Sequence, residues 1–285
     1  MIAWPESLIA EIAERRCIAF LGAGVSHFSE SQDGKTHPPL WPKFLEDLKA
    51  KVRETADKNF VSQFIENEQY LEAAEIMRAG VSDADFNCFL VEEFTTPAYK
   101  PANIHNHIRD LDLKVVITTN FDTIYEDCCR RGDAQQSYNV LRYHDDNIVD
   151  DLKSTRRLII KAHGCVSNQK KAVLARSDYF TARRDHPGFF SVLDALFCTN
   201  TLLFLGYGLG DPDIHLVLEN VAIKTPSVCP HYALIQKGSH PALKAAMAKA
   251  FNIDFLEHEK DRFDEVESAL KDLAASVCRY REIHP

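Results

Sequence analysis

No two of the eight cysteines are spaced as C-x-x-C. Structural zinc is usually held by such pairs, so the spacing argues against a zinc ribbon and no metal is expected. Long apolar runs are missing as well: none approaches the roughly 20 residues that cross a bilayer. The stretch from Met1 to Phe20 carries Glu6, Glu11 and Glu14 and has no signal-peptide pattern. A cytoplasmic protein with no membrane association is therefore expected. An excess of positive charge is absent too. Lys plus Arg number 33 against 42 Asp plus Glu, for a formal net charge of −9. Phosphate affinity comes from clustered Lys and Arg, so no direct nucleic-acid binding is expected. The pairs Arg130-Arg131 and Arg156-Arg157 read as solvated faces. No internal repeat, low-complexity tract or long linker is found.

What remains is an ordinary globular composition, with 45% hydrophobic and 26% charged residues. Collagen-like, disordered and disulfide-scaffold classes are excluded. The 285 residues suit one large domain, or a domain with a sizeable insertion. In a reducing compartment most of the cysteines read as small buried hydrophobes.

Helix and strand signals alternate along the chain. Ser7 to Arg16 has helical spacing, with Leu8, Ile9, Ile12 and Ala13 on one face. The short apolar runs Cys17 to Leu21, Val115 to Ile117, Leu158 to Ile160, Leu202 to Leu205, Tyr232 to Ile235 and Ile253 to Leu256 read as buried strands. A last helix is expected from about Asp261 to Tyr280. Between the first two strands, from about Trp41 to Leu113, the pattern is helical throughout. Phe44, Leu45 and Leu48 share a face there. Ser82-Asp83-Ala84-Asp85 looks like a helix N-cap with an acid at the fourth position. Residues 36–113 are therefore expected to form a helical insertion in a single domain spanning 1–285.

Strands alternating with helices imply an α/β fold, a parallel sheet with helices on both faces. Such sheets bind ligands at the carboxyl ends of their strands. Four strands end in polar or glycine-rich turns: Gly22-Ala23-Gly24, Thr119-Asn120, His163-Gly164 and Gly206-Tyr207-Gly208. These turns are expected to gather on one edge. The first, Gly22-Ala23-Gly24-Val25-Ser26, could bring backbone close to a pyrophosphate, or simply make a tight strand-to-helix turn. His27 breaks the full G-x-G-x-x-G pattern. Asn120 could orient a water or a ribose hydroxyl, or cap a helix. His163 could accept a proton, or be a satisfied structural residue. In Gly206 to Asp213, Asp211 and Pro212 fit a helix start, and the glycines before them exceed what a turn needs. His105 and His107 stand two apart on a helix and make a poor metal pair.

Taken in order, these four turns resemble the sirtuin superfamily. Gly22-Ala23-Gly24-Val25-Ser26 is similar to its first NAD-binding motif. Thr119-Asn120-Phe121-Asp122 resembles its Asn-x-Asp motif, Lys161-Ala162-His163-Gly164 its His-Gly motif, and Gly206-Tyr207-Gly208 its second ribose and phosphate loop. The four-cysteine zinc module and the Pro-Asp-Phe-Arg stretch of the protein-deacylating members are missing. The sequence looks instead like the sirtuin-like, NAD-degrading branch of bacterial anti-phage defence proteins.

That resemblance implies a Rossmann-like fold with a helical insertion, and NAD+ as substrate, hydrolysed between nicotinamide and ribose. By the same resemblance, Asn120 would hold the attacking water and His163 would engage a hydroxyl of the nicotinamide ribose. Asp122 would meet the carboxamide. Gly22, Ala23, Gly24, Ser26 and Thr119 would serve cofactor binding, the first four at the pyrophosphate. Gly206, Tyr207 and Gly208 would line the adenosine side. It further implies an enzyme held off until activated, through homo-oligomer assembly or a partner such as a HerA-type hexameric ATPase. Two other readings stay open: a catalytically silent NAD or ADP-ribose-binding module, and a deacylase, against which the missing zinc spacing argues.

Overall fold

The computed structural model describes residues 2–130, 138–207, 218, 229–238, 240–260 and 262–284. Seven strands form one sheet: β1 (Cys17–Leu21), β2 (Val115–Thr118), β3 (Tyr138–Arg142), β4 (Arg157–Lys161), β5 (Thr201–Leu205), β6 (His231–Gln236) and β7 (Ile253–His258). Their order is β3-β4-β2-β1-β5-β6-β7, and every pairing is parallel. From β1 the chain steps to β2, crosses to the edge at β3 and comes back to β4 between them, then returns beside β1 and runs outward through β5, β6 and β7. β1, β2 and β5 are buried along their whole length. This explains why they read as unbroken apolar runs rather than alternating ones.

Side chains alternate across the sheet and feed two cores. Ile18, Phe20, Ile117, Ile160 and Phe204 face one layer. It contains α10 (Arg176–Asp185) and α11 (Pro187–Thr199), which contribute Tyr179, Leu193 and Phe197. Ala19, Leu21, Val116, Ile159 and Leu203 face the other. There α1 (Glu6–Ala13), α7 (Asn103–Asp110) and the C-terminal α13 (Phe263–Ile283) bury Leu8, Ile12, Ile108 and Leu270. The first helix stops at Ala13, before the Arg16 read from spacing, and Arg15 takes a left-handed φ of +59°. Two further helices lie along the chain, α9 (Ile148–Lys153) before β4 and α12 (Pro241–Phe251) before β7.

The stretch between β1 and β2 is helical, as its pattern implies. A short α2 (Ala23–Ser26) follows β1. Then come α3 (Trp41–Lys49), α4 (Thr55–Glu66), α5 (Tyr70–Gly80) and α6 (Asp83–Phe94). Ser82 caps α6: its Oγ accepts from Asp85 N at 3.1 Å. Phe44, Leu48, Met77, Phe86 and Phe89 make a third core. Phe121 and Cys165, just past β2 and β4, belong to this core. The helical layer is therefore seated on the carboxyl-end turns of the sheet. An antiparallel bridge between Glu30 and Lys100 ties its two ends together. Of the helices in residues 36–113, α7 packs on the sheet and not in this third core.

Strand β3 escaped the sequence reading. It is an edge strand, half-buried at all but one position, and Asn139 and Arg142 interrupt its apolar pattern. Burial of the cysteines holds for half of them. Cys17, Cys128, Cys129 and Cys165 are buried, whereas Cys88, Cys198, Cys229 and Cys278 are exposed, and all eight are free thiols. Arg157 is not a solvated charge, since it pairs with Asp112. The helix expected after Asp211 and Pro212 lies outside the described residues.

Candidate active site

The carboxyl ends of β1, β2, β4 and β5 open into a cavity of about 700 Å³. Its sheet-side wall includes Gly24, Asn120, His163 and Gly206, one residue from each of the four turns singled out in the sequence. Ala23, Ser26, Thr119, Asp122 and Tyr207 also line it, whereas Gly22 does not. Gly208 lies outside the described residues. The opposite wall comes from the helical layer, with Trp41, Phe44, Tyr70 and Phe94, and from Pro38 to Leu40. These second-wall residues were missed in the sequence. Nothing local marks them, because the core-facing pattern of α3 and α5 also brings them to the cavity.

Glycine at four of the turn positions has a steric cause. Gly206 has φ +58°, and a Cβ there would collide with Val25 N and come 2.7 Å from Gly24 C. Gly22 and Gly24 donate their N–H groups to Leu205 O at 3.0 Å and Gly206 O at 2.8 Å. The two turns that flank β1 and β5 are thus pressed together, backbone on backbone. The N–H groups of both glycines are used within the chain, and what the glycines provide is proximity. Gly164 has φ +84° and abuts Lys171 O, so the chain can double back directly after His163.

Asn120 is fixed by two acceptors. Its Nδ2 donates to Gly22 O at 2.9 Å and to Ser26 Oγ at 2.9 Å. Ser26 in turn donates to Asp122 Oδ2 at 2.7 Å. A flipped amide would set Oδ1 against the Gly22 carbonyl, so this network dictates the amide's orientation. Asn120 does not cap α8 (Ile124–Arg130). That role falls to Asp122, whose Oδ1 accepts from Ile124 N at 3.0 Å. Asp122 is only 4% exposed, and its two carboxylate oxygens are held by Ser26 and the helix start.

His163 is 8% exposed and its ring stands edge-on to Tyr179, with centroids 5.1 Å apart. Its carbonyl accepts from Val173 N at 3.0 Å. Beneath the site, Lys161 donates to the main-chain oxygen of Asp122 and to Glu126 Oε1 at 2.7 Å. Lys161 is fully buried and Glu126 nearly so. Burial opposes the charge on Lys161, but Glu126, Cys165 and Asp122 together outweigh it and hold the ammonium's pKa above its ordinary value. The sequence reading quoted Lys161 only as a neighbour of His163, and Glu126 not at all. The acids lining the cavity are Asp122, Glu68 and Glu72, and no Lys or Arg lines it among the described residues. Among those residues no group of three His, Cys, Asp or Glu is placed to hold a metal ion.

A doubly wound parallel sheet with its cavity where the strand order reverses, beside β1, is the arrangement of a nucleotide-binding α/β protein. The SIR2-like domain family model matches residues 114–256, half of the chain, and the chain belongs to that family. It is 28% identical over 220 residues to Defense-associated sirtuin 2 of Bacillus subtilis, covering 74% of this chain and 20% of that protein. It is 24% identical over 207 residues to NAD(+) hydrolase ThsA of Enterococcus faecium, covering 69% of this chain and 40% of that one. With the ThsA protein of Acinetobacter baumannii it shares 21% over 233 residues, 81% of this chain and 45% of that protein. The chain thus spans less than half the length of these relatives.

Proposed function

We propose that this chain is a NAD+ glycohydrolase of anti-phage defence, which cleaves NAD+ to nicotinamide and ADP-ribose. The observation that carries the reading is the orientation of Asn120. With both N–H bonds of its amide used inside the protein, Oδ1 is the atom left to accept from a ligand. An acceptor there can hold a water by its proton and leave the oxygen lone pair toward an electrophile. Relatives named NAD(+) hydrolase, and a cavity within the roughly 300–1,000 Å³ common for small-molecule sites, support the same reading.

In this mechanism the C1′–N bond breaks and its electron pair goes to the pyridinium nitrogen. Nicotinamide leaves neutral. The water held by Asn120 bonds to C1′, and its proton passes to solvent. His163 hydrogen-bonds or deprotonates a hydroxyl of the nicotinamide ribose, which spreads the positive charge of the oxocarbenium-like centre. Ala23, Gly24 and Ser26 flank the pyrophosphate, Gly22 sets their turn, Thr119 serves NAD+ binding beside Asn120, Asp122 lies by the carboxamide, and Gly206 to Gly208 face the adenosine. Residues 1–285 act as one unit, with the insertion at 36–113 as the cavity's second wall. Activation follows self-association, or docking of a HerA-type ATPase, in the cytoplasm.

The test is NAD+ consumption by the purified chain, alone and with the ATPase, beside Asn120→Ala and His163→Ala. A general base contributes about 10²–10⁴-fold, so a loss of that size is expected for folded His163→Ala, and Asn120→Ala, which removes the acceptor for the attacking water, is expected to lose turnover as well. Nucleotide bound but left intact in every sample would favour the silent binding module instead.

A further inference from the structure

We propose that the buried Lys161–Glu126 pair is a positioning device that holds the Asn120 turn and His163 in one fixed relation. The inference rests on the hydrolase reading for its kinetic consequence, but the geometry behind it stands by itself. Lys161 ends β4 and is in register with Thr118, the last residue of β2. Past that point the two strands diverge into their turns. One carries Asn120 and Asp122, the other His163. Between those turns Val166 N donates to Phe121 O at 2.8 Å, and the side chain of Lys161 adds a second, buried link to Asp122.

What it reaches is specific. In α8 the first carbonyl to accept an intrahelical N–H is that of Thr123, bonded by Asp127 N at 2.9 Å. The carbonyl of Asp122 precedes that ladder and is buried, so it needs a donor from elsewhere. Lys161 Nζ supplies it. The same ammonium meets Glu126 on the first turn of α8 at 2.7 Å, which fixes the helix against β4. From Asp122 the order passes outward. Its carboxylate accepts from Ser26, and Ser26 accepts from Asn120. A chain of direct bonds therefore runs from Glu126 and Lys161 through Asp122 and Ser26 to the amide at the cavity wall. Lys161 touches neither the cavity nor, in this reading, the substrate.

An ion pair this dry is weak evidence of stabilisation, because desolvation offsets the attraction and an apolar pair of similar volume often folds as well. That allows a test in which stability and positioning separate. The double variant Lys161→Met/Glu126→Leu is expected to melt near the wild-type temperature. Misplacement of about 1 Å at a reacting group can cost about 10²-fold, and a kcat loss approaching that size is expected, with KM little changed. Its crystal structure is expected to show the Asn120 amide displaced from Gly22 O and Ser26 Oγ. A folded double variant with wild-type kcat, or with Asn120 unmoved, overturns the proposal.

If the double variant does not fold, Glu126→Gln decides. It takes from Lys161 its ion-paired carboxylate and leaves Asp122 as the nearby buried acid. A drop of about tenfold in kcat at constant KM supports the role, and wild-type kcat sinks it. If the wild-type chain cleaves no NAD+ under any condition, the hydrolase reading fails. The position of Asn120 in the crystal structure of either variant still settles the positioning role.

Discussion

The amide of Asn120 and the hydroxyl of Ser26, 94 residues apart in the chain, meet at 2.9 Å and join the turn after β1 to the turn after β2. Ser26 is buried, and its hydroxyl both accepts from Asn120 and donates to Asp122. Ser26→Ala removes both bonds and leaves a buried carboxylate oxygen short of a donor. A loss of about 1–3 kcal/mol in unfolding free energy is expected. NAD+ turnover is expected to fall with it, since Asn120 keeps only Gly22 O as an anchor. Urea denaturation beside an NAD+ assay checks the pair. An unchanged midpoint would mean that the network carries no strain from the missing hydroxyl.

At the amino-terminal end of the sheet, Arg281 of α13 binds three main-chain carbonyls. Its guanidinium donates to Ile12 O, Ala13 O and Leu111 O, each at 3.0 Å. It also lies 3.8 Å from Asp112, which pairs with Arg15 and Arg157. Arg281→Met keeps much of the stem and removes every donor. A stability loss of about 2 kcal/mol is expected, because hydrogen bonds from a charged donor exceed neutral ones but this group is partly solvated. Activity per folded molecule should be unaffected, as the cavity is at the other end of the strands. A variant as stable as wild type in urea would show that the clasp contributes nothing.

His231 opens β6 in a buried position, where its Nδ1 accepts from Leu202 N at 3.1 Å. Burial pushes its pKa down to about 4. The unfolded chain binds a proton at this residue below its ordinary value near 6.5, while the folded chain resists it until about pH 4. Between those values the unfolded state holds more protons, so stability rises with pH. The contribution is fully present above about pH 6.5 and is lost as pH falls toward 4. Its full size is on the order of 3 kcal/mol. His231→Asn offers Oδ1 in place of Nδ1 and does not titrate. Its melting temperature should fall less steeply than wild type between pH 6.5 and 4. Parallel curves would exclude His231 as an acid-sensitive group.

The sheet was legible because its strands are buried on two sides and therefore read as unbroken runs. The turns were legible because glycine and polar residues stand out directly after such runs. Edge strand β3 was not, since one exposed side dilutes the apolar signal that marked Cys17 to Leu21. At the site, Asn120 and His163 could be placed on one edge because both follow the carboxyl ends of strands read as parallel. Their partners could not. Whether Asn120 or Asp122 caps α8 depends on which side chain reaches Ile124 N, and both residue types favour caps. Lys161 and Glu126 are 35 residues apart. Charged residues at such positions read as solvated until the fold closes over them. Trp41 and Tyr70 became cavity residues only because the helical layer sits on the carboxyl ends of the strands.

The contact between Gly206 and the turn after β1 is where a single methyl group should do the most damage. At Gly206 the backbone has φ +58°, which costs an L-residue about 1–2 kcal/mol. A Cβ would also strike Val25 N and press on Gly24, both backbone and neither able to rotate away. Forcing atoms into a packed region adds about 1–3 kcal/mol, so Gly206→Ala should destabilise by about 2–5 kcal/mol. Because the clash pushes the turn after β5 away from the turn after β1, which carries Gly24 and Asn120's acceptor Gly22, NAD+ turnover should be lost even in the fraction that folds. Gly188 supplies the control. It lies in the first turn of α11, has no positive φ, and a Cβ there meets nothing within 4 Å. Gly188→Ala should raise stability by about 0.4–1 kcal/mol, through the entropy removed from the unfolded chain. Differential scanning calorimetry of the two variants should give shifts of opposite sign. Equal shifts would show that the pressed turns can separate without cost.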